Sequence, residues 1–120
     1  MERTRDAQLP IVRGTLDLLV LRALQWGPMH GFEITTWLEE RSSLMLELDD
    51  SALYQALNRL EGKGLVKSTW GVTENNRRAR YYSVMAAGRR HLEAETARWV
   101  QYASLVTGIL TGAAPEPRRA

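Results

Sequence analysis

The stretch Asp49-Asp50-Ser51-Ala52-Leu53-Tyr54-Gln55-Ala56-Leu57-Asn58-Arg59-Leu60-Glu61-Gly62-Lys63-Gly64, with the segments LVKSTW (65–70) and ARYYSV (79–84) behind it, decides the fold. Leu53, Ala56, Leu57 and Leu60 recur at i, i+3, i+4 and i+7, the spacing of one buried helix stripe. Asp49, Asp50 and Ser51 supply N-cap oxygens ahead of it, and Gly62 or Gly64 supplies the stop. The opposite face carries Ser51, Tyr54, Gln55, Asn58 and Arg59, a set of hydrogen-bonding groups with a single formal charge. Residues 65–70 and 79–84 are rich in β-branched and aromatic side chains and read as two strands. Between them Gly71 to Arg78 holds turn-forming asparagines and two arginines, which predicts a β-hairpin with a basic tip.

Upstream, Thr15 is a candidate N-cap for TLDLLVLRALQW, a helix ended by Gly27-Pro28. Its leucines lie on nearly every side, as expected of a central, buried helix. A second helix over about residues 31–41 places Ile34, Trp37, Leu38 and Arg41 on one stripe, with His30 capping or opening it. Downstream, residues 86–110 form a long helix in which Leu92, Thr96, Trp99, Ala103, Val106 and Leu110 follow a heptad seam. Such a seam requires a partner, and a second copy of the helix is the simplest one.

The order helix, helix, helix, strand, basic turn, strand, long helix is the winged helix-turn-helix plan: mainly α with a small β-hairpin, plus a long C-terminal dimerisation helix. The expected organisation is an N-terminal arm (1–13, with Arg3, Arg5 and Arg13), a DNA-binding domain (14–85), the dimerisation helix (86–110) and a disordered tail (111–120). In this plan the third helix enters the major groove of double-stranded DNA and the hairpin reaches the adjacent backbone or minor groove. The amides of Gln55 and Asn58 suit adenine, the fork of Arg59 suits guanine, and Ser51 or Tyr54 suits phosphate. Arg77, Arg78 and Arg80 on the hairpin complete the expected DNA-binding set. Arg80, inside the strand, is equally placed to pair with a carboxylate such as Glu74, and Tyr54 to cover the edge of the core. Tyr81 and Tyr82 point to opposite faces of their strand, one to the core.

Composition narrows the alternatives. A chain of 120 residues holds one compact domain and an appendage. The absence of cysteine excludes a disulfide framework and cysteine-based zinc sites, and two distant histidines are a poor metal site, so no cofactor is expected. The N-terminal ten residues lack a signal-peptide core, and Asp17 and Arg22 interrupt the densest apolar run, so the expected compartment is the cytoplasm. A net charge of +2 is uninformative by itself. Its distribution is more telling: acidic residues gather between Glu39 and Asp50, whereas Arg77 to Arg90 contains no carboxylate. No nucleophile and base, carboxylate pair or phosphate-binding glycine loop stands on a recognisable scaffold, so no enzyme is expected.

The segments GTLDLLVLRAL (14–24), GPMHGFEI (27–34), SALYQALNRLEGKGLV (51–66) and ENNRRARYYSVMAAGRRHLEAE (74–95) resemble the PadR family of regulators, over roughly residues 12–99. The signature is most specific at Ser51-x-Leu53-Tyr54 with Arg59-Leu60-Glu61, and the short C-terminus resembles the subgroup with a single terminal helix. The resemblance implies a homodimeric repressor whose C-terminal helix packs against its twin. It also implies relief by phenolic compounds, drugs or antibiotics bound near the dimer interface. Trp99 then faces either its symmetry mate or a flat aromatic effector, while Trp26, Trp37 and Trp70 are expected in the core or at its rim. The rival reading is a winged helix that docks on protein without reading DNA, for which the exposed face of the third helix is too polar.

Overall fold

The computed structural model describes residues 8–12 and 14–115. The elements run β1 (Leu9–Pro10), α1 (Leu16–Ala23), a 3₁₀ turn (Leu24–Trp26), α2 (Gly31–Arg41), β2 (Leu46–Glu47), α3 (Asp50–Gly62), β3 (Val66–Val72), β4 (Arg78–Val84) and α4 (Ala86–Thr111). Helix α1 lies in the centre, touching α2, α3 and α4 and burying Val20, Leu21 and Ala23. Ile34 and Leu38 of α2, the Leu53–Ala56–Leu57–Leu60 stripe of α3, Val66 of β3 and Tyr82 of β4 close around it. This is the winged helix-turn-helix architecture, with the core where the apolar periodicity put it.

The helix ends follow local chemistry. Asp49 caps α3 by accepting from the Ser51 amide at 3.1 Å. At the other end the Leu65 N–H donates to the Leu60 carbonyl (2.9 Å) and the Gly64 N–H to Glu61 (3.0 Å), with Gly64 at φ +73°. These two bonds make a Schellman motif, so Gly64 is the stop and Gly62 is still helical. Helix α2 opens on a reciprocal box: His30 Nδ1 accepts from the Glu33 amide, and Glu33 Oε1 accepts from the His30 amide. Thr15 departs from expectation, since its hydroxyl donates backwards to the Val12 carbonyl at 2.7 Å and no side chain caps α1.

The hairpin is longer than its composition suggests. Strands β3 and β4 pair antiparallel from Val66↔Val84 to Val72↔Arg78, and the Asn76 amide closes the turn onto the Thr73 carbonyl at 2.9 Å. Asn76 takes the left-handed conformation the turn needs (φ 60°), which asparagine tolerates better than most residues. Met29 adds an antiparallel bridge on the outer side of β4, exchanging two backbone hydrogen bonds with Tyr82.

The N-terminal arm is docked over the residues described here. Leu9–Pro10 pairs parallel with Leu46–Glu47, and Gln8 Nε2 donates to the Leu44 carbonyl at 3.1 Å. Two-residue strands carry too little periodicity to be read from sequence, and a parallel pair has no turn between its partners to announce it. Arg3, Arg5 and Arg13 lie outside the described residues.

Helix α4 starts tightly packed and ends uncovered. A Cβ on Gly88 would collide with the Leu65 carbonyl oxygen and lie 2.8 Å from Val84 Cγ2, so only glycine lets the helix sit this close to β3 and β4. Leu92, expected on the partner-facing seam, is instead 8% exposed within this chain's own core. It anchors the helix on α1. No residue of α4 after Leu92 is buried, although the helix runs for 26 residues, about 39 Å. Thr111 is its last residue; Gly112 to Pro115 form neither helix nor strand, and the rest of the expected disordered tail, 116–120, lies outside the described residues.

Candidate nucleic-acid interface

Because the apolar stripe of α3 is fixed in the core, its other face is turned outward as a unit. Ser51, Tyr54, Gln55, Asn58 and Arg59 are all exposed. Among the described residues the side-chain amides of Gln55 and Asn58 make no hydrogen bond, so their donors and acceptors are free for an external partner. Tyr54 is partly covered and partly exposed. Its ring lies against the start of α2, where a Cβ on Gly31 would be 2.8 Å from the tyrosine Cζ, yet about half of the side chain remains in water. The glycine that begins α2 therefore makes room for the tyrosine of α3.

Arg59 is committed. Its Nη2 lies 2.7 Å from Asp17 Oδ1 and its Nε 3.4 Å from Oδ2, so the guanidinium grips α1 by both carboxylate oxygens. The hydrogen bond to Asp17 raises its already high pKa, so the cation is permanent. An exposed pair of this kind contributes about 0–1 kcal/mol, too little to decide the fold. What it does is hold the C-terminal half of α3 at a set angle to α1.

The hairpin presents Arg77, Arg78 and Arg80, all exposed. Arg80 pairs with Glu61 of α3 rather than Glu74, at 3.6 Å, and its Nε donates to Ser68 Oγ at 2.8 Å. Ser68 in turn donates to Glu61 Oε2 at 2.7 Å. These three side chains tie the hairpin to the last turn of α3, which fixes the wing relative to that helix. Arg77, at the tip, has no carboxylate partner among the described residues. Of the two tyrosines, Tyr82 is the core residue, and burial raises its pKa. Tyr81 turns to the other side, over Gly71 and edge-on to His30 with ring centroids 5.3 Å apart.

Residues 20–94 match the PadR-like family of transcriptional regulators. The chain belongs to that family. Its likeness to solved members extends over most of the fold. A PadR family transcription regulator from Clostridium difficile is 27% identical, with a TM-score of 0.70 over 81% of this chain and 99% of that one. A PadR family regulator from Eggerthella lenta is 29% identical, with a TM-score of 0.72 over 84% and 86% of the two chains. A 37.1 kDa protein in a transposon of Streptomyces fradiae is 40% identical over 93 residues, which are 78% of this chain and 23% of that protein. Membership of the family implies DNA-binding regulation of transcription, and the outward face of α3 with its arginine-bearing wing is the surface suited to it.

One residue of this PadR-like chain escapes sequence reasoning. Trp70, expected in the core or at its rim, is exposed, on the same face of the hairpin as Tyr82 but beyond the edge of the core, and Trp26 is similarly exposed. Counting rungs from the turn would have shown that Trp70 opposes Arg80 and shares a face with Arg78. Between α4, α1 and the arm, Trp99, Thr96, Leu92, Leu18, Leu19 and the arm residues Leu9 to Val12 line an open, almost wholly apolar groove of about 500 Å³. No helix among the described residues is long and apolar enough to cross a membrane.

Proposed function

We propose that this protein is a homodimeric repressor that reads an imperfectly palindromic operator in double-stranded DNA. Its base contacts come from Gln55 and Asn58, its phosphate contacts from Ser51, Tyr54, Arg77 and Arg78. The uncommitted amides on the exposed face of α3, beside a carboxylate-poor wing, carry this reading. Arg59 and Arg80, each held by a carboxylate, act mainly as positioning residues for the helix and the wing. A dimer making about six phosphate contacts loses affinity with salt at a log–log slope of roughly −5, measured by fluorescence anisotropy on a duplex from its own promoter region. A flat salt dependence overturns the mechanism.

Dimerisation is supported by the uncovered part of α4. Trp99, Ala103, Val106 and Leu110 keep the heptad spacing, and Tyr102, Leu105 and Ile109 widen the apolar face, with Ile109 80% exposed. A continuous apolar face of this size requires a partner in a water-soluble protein, and a two-fold pairing of α4 supplies one. The groove beside Trp99 lies along the same helix and suits a flat aromatic effector whose binding shifts the two reading heads. Titration with phenolic compounds should change both Trp99 fluorescence and operator affinity; constancy of both removes the effector from the account. A repressor of this kind acts where its DNA lies, which supports a cytoplasmic location.

A further inference from the structure

The wing carries an exposed tryptophan that its fold does not need. Trp70 is 61% exposed, and Val72, two residues on and on the same face, is equally open. Across the hairpin the partners of these two residues are Arg80 and Arg78. The Arg78 guanidinium carbon lies 4.6 Å from the centre of the indole and that of Arg80 lies 6.0 Å away, both within cation–π range. Arg80 is also fastened to Ser68 and Glu61, so this corner of the wing is braced against α3. Arg78 has only the indole to hold it out among the described residues.

We propose that Trp70 is a DNA-contacting and positioning residue: it holds Arg78 extended toward a phosphate and lays its free surface on the deoxyribose between neighbouring phosphates. This rests on the reading of the chain as a DNA-binding regulator. The chemistry of the surface matches the chemistry of a strand edge. Apolar Trp70 and Val72 lie side by side on one strand and the cations of Arg80 and Arg78 face them from the other, so an apolar row runs beside a cationic one as sugars lie beside phosphates along a nucleic-acid backbone. A free arginine side chain loses rotamer entropy when it meets a phosphate, and one already laid along an indole has lost part of it beforehand. The contact carries no base information, so it strengthens binding to every sequence alike.

The test uses the full-length chain, its promoter duplex and a random-sequence duplex of about three helical turns. Trp70→Ala is expected to weaken binding to both duplexes by a similar factor, about tenfold, with the thermal midpoint and circular dichroism unchanged. Trp70→Phe, which keeps a smaller aromatic face, should fall between the two. In the Arg78→Ala background Trp70→Ala should cost clearly less than it does alone, because part of its action passes through that arginine. Wild-type affinity of Trp70→Ala for both duplexes overturns the proposal, as does a loss confined to the promoter duplex. Full multiplicativity with Arg78→Ala overturns the positioning role. Loss of binding to anionic phosphatidylserine vesicles with DNA affinity intact would reassign the face to a lipid surface and overturn it too. If the wild-type chain binds neither duplex, the DNA-binding reading itself fails.

Discussion

Replacing Trp99 and Val106 together with aspartate yields a folded monomer whose operator affinity falls by roughly 100- to 10,000-fold. The expectation follows from where α4 is held and where it is not. Gly88 and Leu92 fix its first two turns on β3, β4 and α1, and none of the described residues buries the turns beyond them. Trp99 is 44% exposed and Val106 is half-buried among its helical neighbours, so charges there cost little inside one protomer but face each other across a two-fold pairing of α4. Without the pair, one reading head binds alone and the second binding event is no longer intramolecular. Leu105→Asp with Ile109→Asp, on the same apolar face but more exposed, breaks the pairing with less risk to the fold. Sedimentation velocity reads the mass and anisotropy reads the affinity. A dimer that persists with full affinity in both double variants contradicts the assignment of α4.

The second large effect separates base reading from backbone gripping. Asn58→Ala costs about 1–3 kcal/mol on the operator and little on random duplex, because a bidentate amide discriminates among base edges. Its side chain makes no hydrogen bond among the described residues, so its removal leaves the fold intact and the loss reports DNA alone. Arg78→Ala instead weakens all duplexes about equally and lowers the salt slope by about one. Competition titrations with operator and random duplex distinguish the two patterns. If the two variants lose affinity for both duplexes in the same proportion, the division between α3 and the wing is wrong. Arg59→Ala belongs to neither pattern: it frees Asp17 and loosens α3 from α1, so its effect should appear in stability as well as in binding.

What could be read in the sequence was what local physics writes there. Helix α3 announces itself through a four-residue apolar stripe, a cluster of cap residues from Asp49 to Ser51 and the glycines Gly62 and Gly64, of which the structure uses Asp49 and Gly64. The hairpin shows through its turn residues, and α4 through a spacing repeated along its whole length. The PadR-like resemblance rests on those same segments. The errors concern partners distant in sequence. Arg59 meets Asp17 across 42 positions, and no periodicity marks that pair. Arg80 meets Glu61 because the hairpin folds back on α3, whereas Glu74, closer in sequence, lies at the turn. Leu92 keeps heptad register with Trp99 but is consumed by the core, since a seam pattern is silent about whether its first residue faces α1 or a second chain. Trp70, expected in the core or at its rim, stands exposed because two arginines on the facing strand offer an indole a stable place in water.

Hydroxyl-radical footprinting of the wild-type chain on the DNA flanking its own gene tests the central claim, two reading helices held by one α4 pair, most directly. The account predicts two equivalent protected segments related by a dyad, their centres about 34 Å or a whole multiple of that apart, lost together in the Trp99 and Val106 double variant. A single protected segment without dyad symmetry, bound by one chain at undiminished affinity, would contradict it.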